Sequence, residues 1–225
     1  TMKKASQYFS EEEKKEIADA VLKAESLTSA EIVPVAATCS GRYDRAEDII
    51  GVFFGIIAMI VVWGITPHPD VETAGSWGNA PVALFLALSV IGGFIIGAVI
   101  GSRIGWLRKL FTPRSELSES VKDRAALTFF DQRVHHTSSE SGLLFYVSFF
   151  ERQAVVLGDE RVEKELGREA IESLCSKFTQ SLSNDASPAE AMISVINEAG
   201  ELLSEVLPQS DAEQNELDEA LICID

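Results

Sequence analysis

Basic side chains are scarce: 19 Lys and Arg stand against 35 Asp and Glu in 225 residues, for a formal net charge of −16. With a pI near 4.6, nucleic acid is excluded as a partner, because binding a phosphate backbone needs clustered Lys and Arg. Cysteine is scarce too. Cys39, Cys175 and Cys223 lie far apart with no CxxC pair, which argues against a disulfide framework or a zinc site and reads as reduced thiols. No Gly-rich phosphate loop, HExxH, GxSxG or DxDxDG spacing occurs, so the reactions and the EF-hand those motifs serve are not indicated. His135-His136 falls at a predicted helix end, where histidine supplies a favourable C-terminal charge.

Charge and apolar residues are nevertheless both abundant, at 24% and 46%, and the mean hydropathy is +0.12. They are kept apart. Residues 1–48 carry ten acids and seven bases, residues 49–114 two and four, and residues 115–225 twenty-three and eight, for net charges of −3, +2 and −15. Within the middle third, Ile49–Ile65 is 17 residues without a charge and Pro81–Gly101 is 21. A bilayer core of ~30 Å needs about 20 apolar residues as helix, so the reading is a two-helix transmembrane hairpin with spans at about 49–65 and 81–101. A domain this small could not wrap two helices that are apolar on every side. Some 48 mostly polar residues precede the first run, so neither run reads as a cleavable signal.

The flanks set orientation. Arg42 and Arg45 precede the first span, Arg103, Arg108, Lys109 and Arg114 follow the second, and the loop 66–80 has no Lys or Arg. Positive-inside bias therefore predicts both termini and the soluble part in the cytoplasm and the short loop outside. Trp63, Trp77 and Trp106 lie near span ends, as interfacial anchors do. No ionisable residue lies inside a span, which argues for an anchor over an ion pathway. Gly93, Gly97, Gly101 and Gly105 recur at every fourth position, and Gly51 and Gly55 make one such step. That spacing puts small residues on one helix face for close packing, either with the other span of the hairpin or with a second chain.

The remainder reads as an α+β domain, residues 1–48 joined to 115–208, with 209–225 as an acidic tail. Ser10 and Glu13 form a capping box opening a helix of about 11–26. Glu31–Thr38 reads as a strand, with Pro34 suggesting an edge or bulge. A helix over 115–136 follows the spans, with Leu117, Val121, Ala125 and Phe129 on one face. Residues 142–150 and 153–157 read as a hairpin turning at Glu151-Arg152. Val162, Leu166, Ala170, Leu174, Phe178 and Leu182 step by four, predicting one helix. Pro188 at N1 starts the last, with Met192, Ile196, Ala199 and Leu203 inward and Pro208 ending it. The expected architecture is a small sheet covered by helices, a sandwich interrupted by the hairpin.

Phe9-Ser10 with its helix, the segment Ala24–Val33, Ser141–Ser148, Glu151-Arg152 and Val156–Asp159 together resemble the TPM domain family, and Asn215-Glu216-Leu217 resembles a tail of its bacterial membrane branch. The resemblance implies a TPM-like sandwich and a bacterial inner-membrane location. Members of that family include thylakoid-lumen proteins associated with photosystem II repair and an auxiliary subunit of an acetylcholine receptor. Acid phosphatase activity and calcium binding are associated with some. The shared theme is attendance on membrane complexes.

A phosphatase without an evident nucleophile would use metal-bound water, and hard cations such as Ca²⁺ want several oxygen ligands. The candidates for a divalent cation are Asp159 at a strand end, Glu31 at a strand start, Glu151 at the hairpin turn and Asp44 in the loop after Gly41. Asp159 has the alternative of capping the next helix, and Glu25 and Glu31 of pairing with Arg152. The tail from Gln209 carries six acids and no base, with Leu217, Leu221 and Ile224 as a short apolar stripe. It reads as solvated, or as a docking segment for a basic partner. Two functions follow as expectations: a non-catalytic accessory protein of a membrane complex, meeting a membrane protein or its own copy through the glycine-rich spans, or a metal-dependent phosphatase-like hydrolase.

Overall fold

The computed structural model describes residues 3–66, 80–103, 112–134, 141–183, 187–209 and 220–225, with backbone alone at 44–46, 80 and 81. In chain order the elements are a 3-10 turn (Ala5–Tyr8), α1 (Glu11–Glu25), β1 (Glu31–Ala37), α2 (Asp44–Ile65), α3 (Ala80–Arg103), α4 (Arg114–Asp131), β2 (Gly142–Ser148), β3 (Gln153–Gly158), α5 (Glu160–Leu166), α6 (Arg168–Ser183), α7 (Pro188–Val206) and β4 (Ile222–Ile224). They fall into two units, Arg42–Glu116 and the discontinuous Met2–Gly41 with Leu117–Asp225. The class is α+β.

The discontinuous unit is built on a mixed sheet in the order β3-β2-β1-β4. β1 runs parallel to β2, from Glu31 opposite Gly142 to Ala37 opposite Ser148, and β2 and β3 are antiparallel. Every residue of β1 and β2 is buried, because helices cover both faces, which is why these strands read as continuous apolar runs. Ile32, Ala36, Leu143, Phe145 and Val147 face α1, α6 and α7 through Ile17, Val21, Leu174, Phe178, Met192 and Ile196. Val33, Val35, Leu144 and Tyr146 face α4 through Val121 and Ala125. The helix starts are chemically marked. The Ser10 hydroxyl accepts the Glu13 N–H at 3.2 Å while the Glu13 carboxylate accepts the Ser10 N–H at 2.7 Å, and Ser187 and Glu190 repeat the device at α7.

Three sequence expectations change. Pro34 sits in an interior strand, but on the side its missing N–H would face, β4 pairs only with Val35–Ala37. Along β1 the N–H groups alternate: Glu31 donates toward Ser141, and Ile32 and Thr38 donate the other way, to Glu25 and Ile224. Proline at position 34 thus removes a donor where no strand waits. The single helix predicted from Val162 to Leu182 is two, broken at Gly167 with φ +87°. The break leaves the four-residue step intact, so periodicity alone could not reveal it. Finally, the acidic tail ends in β4, a strand of the chain's own sheet. Asp225 accepts the Ser6 N–H at 3.0 Å and its hydroxyl at 2.7 Å.

In the other unit, α2 and α3 form an antiparallel pair whose segments Glu47–Ile65 and Val82–Arg103 are long and apolar enough to cross a membrane. Phe53, Ile60, Leu84 and Phe85 are each about three-fifths exposed, so among the described residues these helices are not buried as core helices are.

Candidate functional site

Because β1 and β2 are parallel, their carboxyl ends meet at one edge of the sheet, the position where open α/β sheets place their sites. Two structures are built there. The first is a buried polar network around Glu151, which is 5% exposed. The turn between β2 and β3 places Arg152 in the left-handed region at φ +57° and swings the Glu151 carboxylate back under the loop after β1. One oxygen accepts the N–H of Ser40 at 2.8 Å and of Gly41 at 3.3 Å, and the other accepts the hydroxyl of Ser148. Cys39 Sγ lies 3.6 Å from the first oxygen. The Ser40 hydroxyl also shares a 3.0 Å hydrogen bond with the Tyr146 hydroxyl, whose pKa burial pushes up against the opposing effect of that bond. With its oxygens occupied by donors, Glu151 serves as a fastener of two loops.

The second structure is a cleft of about 450 Å³ beside that network, on the α6 side. Val147, Ser148 and Phe149 from the end of β2, Arg152 from the turn, Thr179 and Ser183 from α6 and Tyr8 from the 3-10 turn line it. The rings of Tyr8 and Phe149 stack at 3.9 Å and 10°, and Lys3 Nζ sits 4.4 Å from the centre of the Tyr8 ring.

Asp159 and Glu31 lie at the opposite end of the strands. Asp159 caps α5, one oxygen accepting the Val162 N–H at 2.8 Å and the other the Gly142 N–H at 3.0 Å. Burial raises its pKa, against the lowering effect of those backbone bonds. Glu31, paired in register with Gly142, is 8% exposed. At ~3.3 Å per residue, the seven-residue strands separate this pair from Glu151 by roughly 20 Å. The four metal candidates therefore do not share one centre: Asp159 and Glu31 share an end, Glu151 stands at the other, and the Asp44 side chain is outside the described residues. Two carboxylates at one end are in any case fewer ligands than Ca²⁺ takes from a full protein cage. Among the described residues no three His, Cys, Asp or Glu side chains converge in that way. Glu25 does not pair with Arg152; it accepts the Ile32 N–H at 2.8 Å. His135 and His136 lie outside the described residues.

Among the described residues the three cysteines form no disulfide with one another. Cys175 is half-buried with its thiol donating to the Ala154 carbonyl at 3.4 Å, and burial raises its pKa.

Gly51, Gly55, Gly93, Gly97 and Gly101 pack within the hairpin. A side chain at Gly93 would meet the Phe54 carbonyl at 2.7 Å and Gly55 Cα at 2.9 Å, and one at Gly97 the Ile50 carbonyl at 2.8 Å and Gly51 Cα at 2.9 Å. Gly101 faces Ile50 at 3.0 Å, and Gly51 and Gly55 face Phe94 and Val90. Gly105 lies outside the described residues.

Sequence reasoning missed Ser40, Tyr146, Ser148 and the cleft. The available signal was an acid and a base at a hairpin turn between buried strands, which is common in structural turns as well. No family model matches the chain, and no curated protein does. Among solved structures the chain is similar to the BA42 protein of the psychrophilic bacterium Bizionia argentinensis, determined by NMR, with a TM-score of 0.55 and 16% identity over 95% of this chain and 94% of that one. At that identity the likeness bears on the fold alone.

Proposed function

We propose that this chain is a membrane-anchored, non-catalytic accessory protein. Its TPM-like domain stands on the cytoplasmic side of a bacterial inner membrane and attends a membrane protein complex. The observation that carries this reading is the hairpin. Gly51, Gly55, Gly93, Gly97 and Gly101 are turned inward while Phe53, Ile60, Leu84 and Phe85 are turned out, so it is finished as a two-span anchor and offers lipid or a neighbouring span a largely apolar exterior. The carboxylates of the soluble part support the same reading, since Asp159 and Glu151 hold the chain's own backbone. With the glycine stripe engaged inside the hairpin, a partner, whether another protein or a second copy, meets the outer faces of the spans or the acidic domain.

The test is crosslinking in native membranes followed by purification in detergent. The expected result is recovery of a defined membrane complex in amounts comparable with the chain itself. Recovery of this protein alone at every salt concentration tested would overturn the proposal.

A further inference from the structure

The soluble segments 1–48 and 115–225 carry a combined charge of −18, and a surface of that sign repels anions. One place runs against it. At the cleft beside the β2–β3 turn, Arg152 projects from a left-handed turn residue, and among the described residues it makes no ion pair with any carboxylate. Glu151, its neighbour in sequence, is committed to Ser40, Gly41 and Ser148. A second cation, Lys3, sits over the Tyr8 ring that lines the same cleft. The cleft holds about 450 Å³, within the range of small-molecule sites. One wall is the flat Tyr8–Phe149 stack, and the other is the hydroxyl-bearing end of α6 at Thr179 and Ser183.

We propose that this cleft binds a small organic anion: a carboxylate or phosphate on a flat apolar body. The Arg152 guanidinium takes the anionic group through parallel N–H donors, a fork that fits either oxyanion. The body lies along the Tyr8 and Phe149 rings. The proposal is independent of what the membrane hairpin contacts and goes beyond the accessory role.

Phenyl phosphate and benzoate are the probes, with benzamide as the neutral counterpart, titrated by calorimetry into the full chain in detergent micelles. Saturable binding of at least one anion is expected at up to about 10 mM, a weak-ligand range, with benzamide at least about tenfold weaker because it lacks the charge-assisted bonds. Which anion binds tighter identifies the group the fork prefers. Arg152→Gln should weaken the anion at least about tenfold while leaving the thermal midpoint within a degree or two. Ser183→Trp, which fills the cleft from α6 and leaves Arg152 in place, should abolish binding, and it decides the matter if Arg152→Gln does not fold. Absence of saturable binding by both anions, equal binding of benzamide, or unchanged affinity in both variants would each overturn the proposal.

Discussion

Two buried carboxylates, Asp159 and Glu151, were both candidate metal ligands in the sequence, Asp159 foremost, and the backbone decides what each does. Asp159 is asked to be an anion where water is scarce, and its pKa rises. The folded state therefore holds its proton more tightly than the unfolded chain. Its contribution to stability falls as pH rises from about 4 through the raised folded value, which is opposite to a salt-bridged aspartate. Urea unfolding of the wild type and Asp159→Asn across pH 4 to 7 should show the wild type losing ground relative to the variant as pH rises. Asp159→Ala, which loses the cap altogether, should be destabilised by about 1–2 kcal/mol. Glu13 behaves in the opposite sense. Its pKa is lowered, first by the bond from the Ser10 backbone, so its contribution is present above the unfolded value and lost as pH falls through the folded one. At Glu151, replacement by Ala strands the N–H groups of Ser40 and Gly41 and the Ser148 hydroxyl, and should cost about 2–4 kcal/mol by urea unfolding. The Asp159 cap was legible in sequence, because its bond to Val162 closes within three residues; the pairing of Glu151 was not, because it depends on β1 and β2 being parallel and in register, which sends residues 31 and 151 to opposite ends.

At the scale of elements, local chemistry was the most legible. The capping boxes at Ser10 and Ser187 and the Pro188 start were marked by side chains that bond within three residues, so sequence distance and spatial distance coincide. Gly167 and β4 were not marked that way. Three residues of strand, Ile222–Ile224, hold their place through parallel pairing with β1 nearly two hundred residues earlier, and no local pattern encodes that. The hairpin glycines were legible as a stripe but not as to partner, and the geometry gives a sharp comparison. A Cβ at Gly97 would lie 2.8 Å from a backbone carbonyl, whereas one at Gly92 would meet nothing within 4 Å. Gly97→Val should lower the midpoint of SDS-induced unfolding in detergent micelles, at a cost of about 1–3 kcal/mol for overpacking. Gly92→Val should leave it near the wild type.

For the whole molecule, the separation of an apolar stretch from an acidic remainder was readable from the charge count, but the structural unit Arg42–Glu116 takes in both flanks of that stretch and carries six acids and six bases, net zero. The orientation proposed from the basic flanks is tested by labelling in intact cells. A cysteine placed at Ser76 should react with an impermeant reagent from outside, and one at Gln209 should stay protected; the reverse pattern would invert the topology.

The position of β1 in the sheet has a consequence in time. Its neighbours, β2 and β4, both come later in the chain, and β2 begins at Gly142, about a hundred residues after β1 ends. At ~5–20 residues per second, synthesis leaves this buried, mostly apolar strand without its first partner for on the order of 5–20 s. Both hairpin helices are made within that interval. The sheet can therefore close only after both hairpin helices are synthesised, with the apolar run Ile32–Ala37 waiting for its neighbours in the meantime.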